Sequence, residues 1–81
     1  MQKWEYVHFV VELVDMEVIE VDGENISKQK SPTLWGEFDL SKNNFIEVVN
    51  FLGVKGWEAV GFSNGWKTDT AYYLFKRPLE D

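Results

Sequence analysis

The sequence predicts an α+β fold, with one helix packed on a three- to five-stranded, mainly antiparallel sheet in a single small domain over residues 1–81. Three observations lead there. The segments 3–14, 56–63 and 71–78 are rich in β-branched and aromatic residues. Only 42–55 carries an apolar repeat of helical period. Asp22-Gly23 and Asn64-Gly65 are dipeptides that suit tight hairpins.

The run KWEYVHFVVELV (3–14) contains no glycine or proline and reads as a long strand. With the period of two, Val7, Phe9, Val11 and Leu13 share one face. Trp4, Tyr6, His8, Val10, Glu12 and Val14 share the other. Asp22-Gly23 then separates two short strand-like runs, because both central positions of a two-residue hairpin turn want positive φ. Residues 27–33 form a polar connection closed by Pro32, and 34–40 (LWGEFDL) reads as a short edge strand bent at Trp35-Gly36.

In the helical segment Phe45, Val48, Val49 and Leu52 form the apolar stripe, broadened by Ile46 and Phe51. Ser41 is a candidate N-cap, with Asn43 and Asn44 as alternatives that shift the start. Gly56 is placed to end the helix in the left-handed conformation. Two strands follow, 56–63 and 71–78, the second closed by Pro78. Between them an Asn64-Gly65 turn gives a tight hairpin, whereas a loop running to about Thr70 pairs the two apolar stretches more fully and is favoured.

Composition narrows the function classes. Fourteen acidic residues against eight basic ones give a net charge of -6, which disfavours nucleic acid and anionic membrane surfaces as partners. No apolar run approaches the roughly 20 residues that span a bilayer. Glu5, His8 and Glu12 interrupt the apolar start, and no small-residue cleavage site follows, so a cytoplasmic location is expected. The chain has no cysteine and His8 is its single histidine, so neither a disulfide nor a Cys/His zinc site can staple the fold. A chain this short buries only about 60% of its unfolded surface, which leaves an aromatic core, oligomerisation or both to supply stability, and both are favoured.

Three segments resemble a small bacterial family catalogued as domain of unknown function 4177: Trp4-Glu5-Tyr6, the run Val49–Val60 with its Leu-Gly-x-x-Gly-Trp-Glu sequence, and Tyr73–Arg77. The similarity spans about 55 of the 81 residues and leaves 15–40 poorly matched. The resemblance implies a helix against an antiparallel sheet and brings no established activity. The same residues have folding explanations. Gly53 lets the helix end approach the sheet, Gly56 caps it, Trp57 fills space beneath the turn, and Glu58 is in reach of Lys76 or Arg77.

No motif specifies a chemistry. A Ser-His-acid arrangement would have to use His8 in mid-strand, and no serine sits in a nucleophile elbow. His8 and Glu12 share a face but stand roughly 13 Å apart, too far for one metal ion. The acids Glu17, Glu20, Asp22 and Glu24 lack the spacing of a calcium loop and read as a solvated hairpin. Neither a catalytic residue nor a cofactor is expected, and the chain is read as a non-enzyme.

The most informative feature is the aromatic stripe. One helix covers one face of a sheet, yet the first and last strands are apolar or aromatic on both faces. A half-buried antiparallel sheet should show a polar outer face. Three covers follow, in this order: a second copy of the chain, giving a homo-oligomer; the segment 27–40 folded back through Leu34, Trp35 and Phe38; or an unidentified protein or small-molecule partner. The contact residues this selects are Trp4, Tyr6, His8 and Val10, with Trp35 and Tyr72.

Overall fold

The structure, a computed structural model, describes residues 1–26, 29–64 and 69–79. In chain order its elements are β1 (Trp4–Glu12), β2 (Glu17–Val21), β3 (Glu24–Asn25), β4 (Thr33–Leu34), β5 (Phe38–Asp39), α1 (Phe45–Val54), β6 (Glu58–Asn64) and β7 (Thr70–Pro78). Strands β3-β2-β1-β7-β6 form a five-stranded sheet, and β4 and β5 pair apart from it. Every pairing is antiparallel, as the turn chemistry predicts.

The longest pairing joins β1 to β7, from Trp4 opposite Pro78 to Glu12 opposite Thr70. The first strand is shorter than the predicted 3–14, because at Leu13 the chain leaves the ladder with one last bond, its N–H donating to the Asp69 carbonyl at 2.7 Å. The Asp22-Gly23 turn forms as expected, with φ of 51° and 87° at its two central positions. β6 pairs with β7 out to Asn64 opposite Ala71, the register of the longer connection. Residues 65–68, including Gly65 and Trp66, lie outside the described residues.

Alternation along β1 puts Val7, Phe9 and Val11 in one buried cluster with Phe45, Val48 and Leu52 of α1, and with Phe75 of β7. Phe45 is its hinge. Its ring lies 6.0 Å from Phe9, 4.5 Å from Tyr73 and 6.3 Å from Phe75. Each large apolar side chain so buried contributes about 1.5–3 kcal/mol.

The helix is three residues shorter at its start than the predicted 42–55, and its cap is Asn44. Asn44 Oδ1 accepts from the Glu47 N–H at 3.1 Å, and Glu47 Oε1 accepts from the Asn44 N–H at 3.2 Å. This reciprocal capping box settles two otherwise unpaired donors. Ser41 serves Asp39 instead. Its hydroxyl donates to Asp39 Oδ1 at 2.6 Å and its N–H to the same oxygen at 2.8 Å. The hydroxyl bond first, and then the backbone one, lower the Asp39 pKa below the ordinary carboxylate value.

At the other end Gly56 (φ 90°) donates its N–H to the Gly53 carbonyl at 3.1 Å, and Trp57 donates to the Leu52 carbonyl at 2.9 Å. This is a Schellman termination, and it drives Trp57 into the cluster that holds Leu52. Gly53 does not allow a close approach to the sheet. It is exposed, and a Cβ there would meet no atom within 4 Å.

The stretch 34–40 is not an edge strand of the sheet. It closes the β4–β5 hairpin, in which Trp35 (φ 55°) and Gly36 (φ 72°) are both left-handed and the Glu37 N–H donates to the Leu34 carbonyl at 3.0 Å. A left-handed residue other than glycine costs about 1–2 kcal/mol. Stacking of Trp35 on Trp57, with ring centroids 5.3 Å apart and 14° between planes, offsets it.

Asn44→Ala is expected to lower stability by about 1 kcal/mol, a fall of about 4–8 °C in midpoint by thermal denaturation. Ser41→Ala is expected to raise the Asp39 pKa toward its ordinary value, read by NMR titration of the carboxyl carbon. Because folding depresses this pKa, the Asp39 contribution is present above the unfolded pKa and is lost as pH falls through the folded one.

Candidate functional site

The face of the sheet turned away from Phe45, Val48 and Leu52 is built by register alone. Tyr6 stands opposite Lys76, His8 opposite Leu74 and Val10 opposite Tyr72. Glu20 flanks Val10 on the β2 side, and Glu58 flanks Lys76 on the β6 side. Residues directly opposite on neighbouring strands share a face, so these side chains form one continuous surface with Trp4 at one end and Glu12 at the other.

Its exposure is uneven. Tyr6 is 56% exposed and Trp4 37%, while His8, Tyr72 and Leu74 are half-buried. Val10 is only 8% exposed, between Glu20 and Tyr72 on the neighbouring strands. The His8 ring tilts against Tyr72 at 5.6 Å. Asp22 extends the pairing beyond β2. Its Oδ1 accepts the His8 N–H at 2.9 Å, and its own N–H donates to the His8 carbonyl at 2.8 Å.

Charge on this outer face is polarised. Lys76 lies over the Trp4 ring with Nζ 4.1 Å from the centroid, and reaches Glu58 at 3.7 Å. The Glu58 side chain is 65% exposed, so the ion pair adds well under about 1 kcal/mol. The opposite end is acidic, with Glu12 facing Glu17 across the first hairpin. Carboxylate oxygens of Glu12, Asp15 and Glu17 come within 4.8 Å of one another, which makes them the described residues placed to share a cation. The sequence reading grouped Glu17, Glu20, Asp22 and Glu24 instead. Hairpin closure, rather than spacing along the chain, brings 12 and 17 together.

Of the six predicted contact residues, Trp4, Tyr6, His8, Val10 and Tyr72 fall on this one surface. Trp35 does not. It belongs to an aromatic group with Trp57 and Phe51, whose centroid is 6.4 Å away, and the Arg77 guanidinium lies 4.6 Å over Trp57 and ion-pairs with Glu5. The expected cover by 27–40 is overturned for the described residues from Gln29 on. Leu34 and Leu40 are buried in the cluster with Val7, Phe9 and Leu52, on the inner face. Leu74, which the contact set omitted, sits at the centre of the outer face; its strand position carried the signal.

Comparison with protein-family models, with curated proteins and with solved structures finds no match to this chain. Among the described residues no helix is long and apolar enough to cross a membrane.

The two aromatic groups should respond differently to truncation. Trp35→Ala is expected to cost about 1–2 kcal/mol in urea denaturation through the lost stack on Trp57. Tyr6→Thr, which puts a β-branched residue of good strand propensity at an exposed position, should stay within about 0.5 kcal/mol at low protein concentration.

Proposed function

We propose that the chain is a non-enzymatic, self-associating interaction domain whose outer sheet face is the contact surface. One observation carries the reading. Among the described residues the helix and the 33–40 hairpin both contribute to the cluster on the inner side, so Trp4, Tyr6, His8, Tyr72 and Leu74 are left around the buried Val10 as an aromatic and apolar face that neither of them covers. Monomers rarely leave such a patch uncovered.

A second copy suits it on composition and size. Tyr, Trp and His present an apolar body with a polar tip, the mixture enriched in interfaces that form and separate. The strands, up to nine residues long, offer a projected area of about 500 Å² per copy, so a pair buries about 1,000 Å² or more, the lower bound for a specific contact. Membership of domain of unknown function 4177 is part of the same proposal, supported by the three sequence segments, and it assigns no activity.

Absolute solution mass by light scattering tests this, on the wild type and Tyr6→Glu in parallel. The expected result is a dimer or larger for the wild type and a folded monomer for Tyr6→Glu. A wild-type monomer at high concentration would overturn the reading and turn attention to a small molecule or peptide on the same face.

A further inference from the structure

The sheet has one long edge without a partner. Strand order places β3 and β6 at its two sides, and β3, two residues long, offers little backbone to another strand. β6 is seven residues long, and all seven are exposed. It pairs with β7 on one side and, among the described residues, with no strand on the other. Lysine, arginine and proline, which commonly blunt such an edge, are absent from it. The free side is a row of backbone N–H and C=O groups, and their complement is another extended strand.

We propose that a second copy supplies that strand, with β6 pairing antiparallel to β6 about a two-fold axis perpendicular to the sheet. Parity and symmetry set the register. Residues directly opposite must share a face, so the axis passes through a residue and not between two. The bulge between Ala59 and Gly61 leaves Gly61–Asn64 as the regular stretch. Within it Phe62 is the large apolar side chain, 59% exposed, and it lies on the inner face opposite Tyr73 with ring centroids 5.0 Å apart. An axis at Phe62 brings the two Phe62 rings together as a cross-strand aromatic pair, with Gly61 opposite Ser63 on either side.

Charge and area favour a copy of this chain as the occupant. Glu58 is the charged residue of β6, and the axis holds it roughly 25 Å from its counterpart, so the seam joins no like charges. The axis also turns both outer faces to the same side, where they form one platform of about 1,000 Å². On the self-association reading above, on which this step rests, two platforms face to face bury about 2,000 Å², twice what a single pair of faces reaches. A seam of five residue pairs spans only about 17 Å of strand, too little to hold two copies alone. Two face-to-face pairs meet through two seams at once, and that avidity closes a four-copy assembly.

Hydrogen exchange and solution mass together test the seam. The N–H groups on the free side of β6 have no strand partner within one copy, so they exchange fast even in the folded chain. Raising the wild-type concentration is expected to slow them by about tenfold or more, whereas a face contact alone leaves them fast. In sedimentation velocity the wild type should reach four copies, Phe62→Lys stop at two and Tyr6→Glu stay single. A wild type that stops at two copies, with fast β6 exchange at every concentration, overturns the seam and leaves the sheet-face reading standing. A monomeric wild type overturns both. Slowed exchange in a wild-type pair that Tyr6→Glu does not split keeps the seam and overturns the sheet-face reading. If Phe62→Lys does not fold, exchange in the wild type decides alone.

Discussion

Pairing of β1 with β7 is the constraint on which the rest of the structure depends. Because the ladder runs unbroken from Trp4 to Glu12, the period of two is held without slippage on two adjacent strands. Val7, Phe9 and Val11 are fixed to one side with Tyr73 and Phe75, and Tyr6, His8 and Val10 to the other with Tyr72 and Leu74. A slip of one residue would exchange the two sets. Irregularities are confined to the flanks, where bulges interrupt β1–β2 between Val10 and Val11 and β6–β7 between Ala59 and Gly61.

With the register fixed, the chain has little material left to cover two faces. Its ten-residue helix and its 33–40 hairpin both bury their apolar residues in the inner cluster. The route between them is set by caps. The Asn44–Glu47 box starts the helix, the Phe45 N–H donates to the Met16 carbonyl at 2.6 Å to hold that start near the first hairpin, and the Schellman turn at Gly56 drives Trp57 inward. Trp57 in turn supports the left-handed Trp35, so the β4–β5 hairpin leans on the helix end and not on the outer face. Inner-face burial is thus a chain of local terminations, each legible in a few residues.

Legibility followed that division between local and non-local determinants. The strands of the five-stranded sheet, the Asp22-Gly23 turn and the Gly56 termination rest on residues within one turn or one period of each other and are legible in the sequence, whereas 34–40 is a hairpin where the sequence suggests one edge strand. The helix start was placed early because Ser41 is a good cap in isolation. Glu47, three residues after Asn44, is the feature that selects the observed start. Trp35 was misplaced because its partner Trp57 lies 22 positions away, and no periodicity links a turn residue to a residue beyond the helix. Glu12 and Glu17 came together for the same reason, through a hairpin whose register the sequence left open. Gly53 shows the opposite error, since a glycine near a helix end need not mark a close contact.

The outer face does not have the composition of a core cut in half. An obligate interface resembles a core cut in half, rich in Leu, Ile and Val, and it aggregates when exposed. Here the apolar area is divided among Trp4, Tyr6, His8 and Tyr72, whose polar tips keep hydrogen bonds to solvent, while the aliphatic Val10 and Leu74 are partly screened by those neighbours. The Lys76 ammonium lies over the Trp4 ring, with Nζ 4.1 Å from its centroid. On the self-association reading proposed above, a face of this kind gains by pairing without having to be covered at all times.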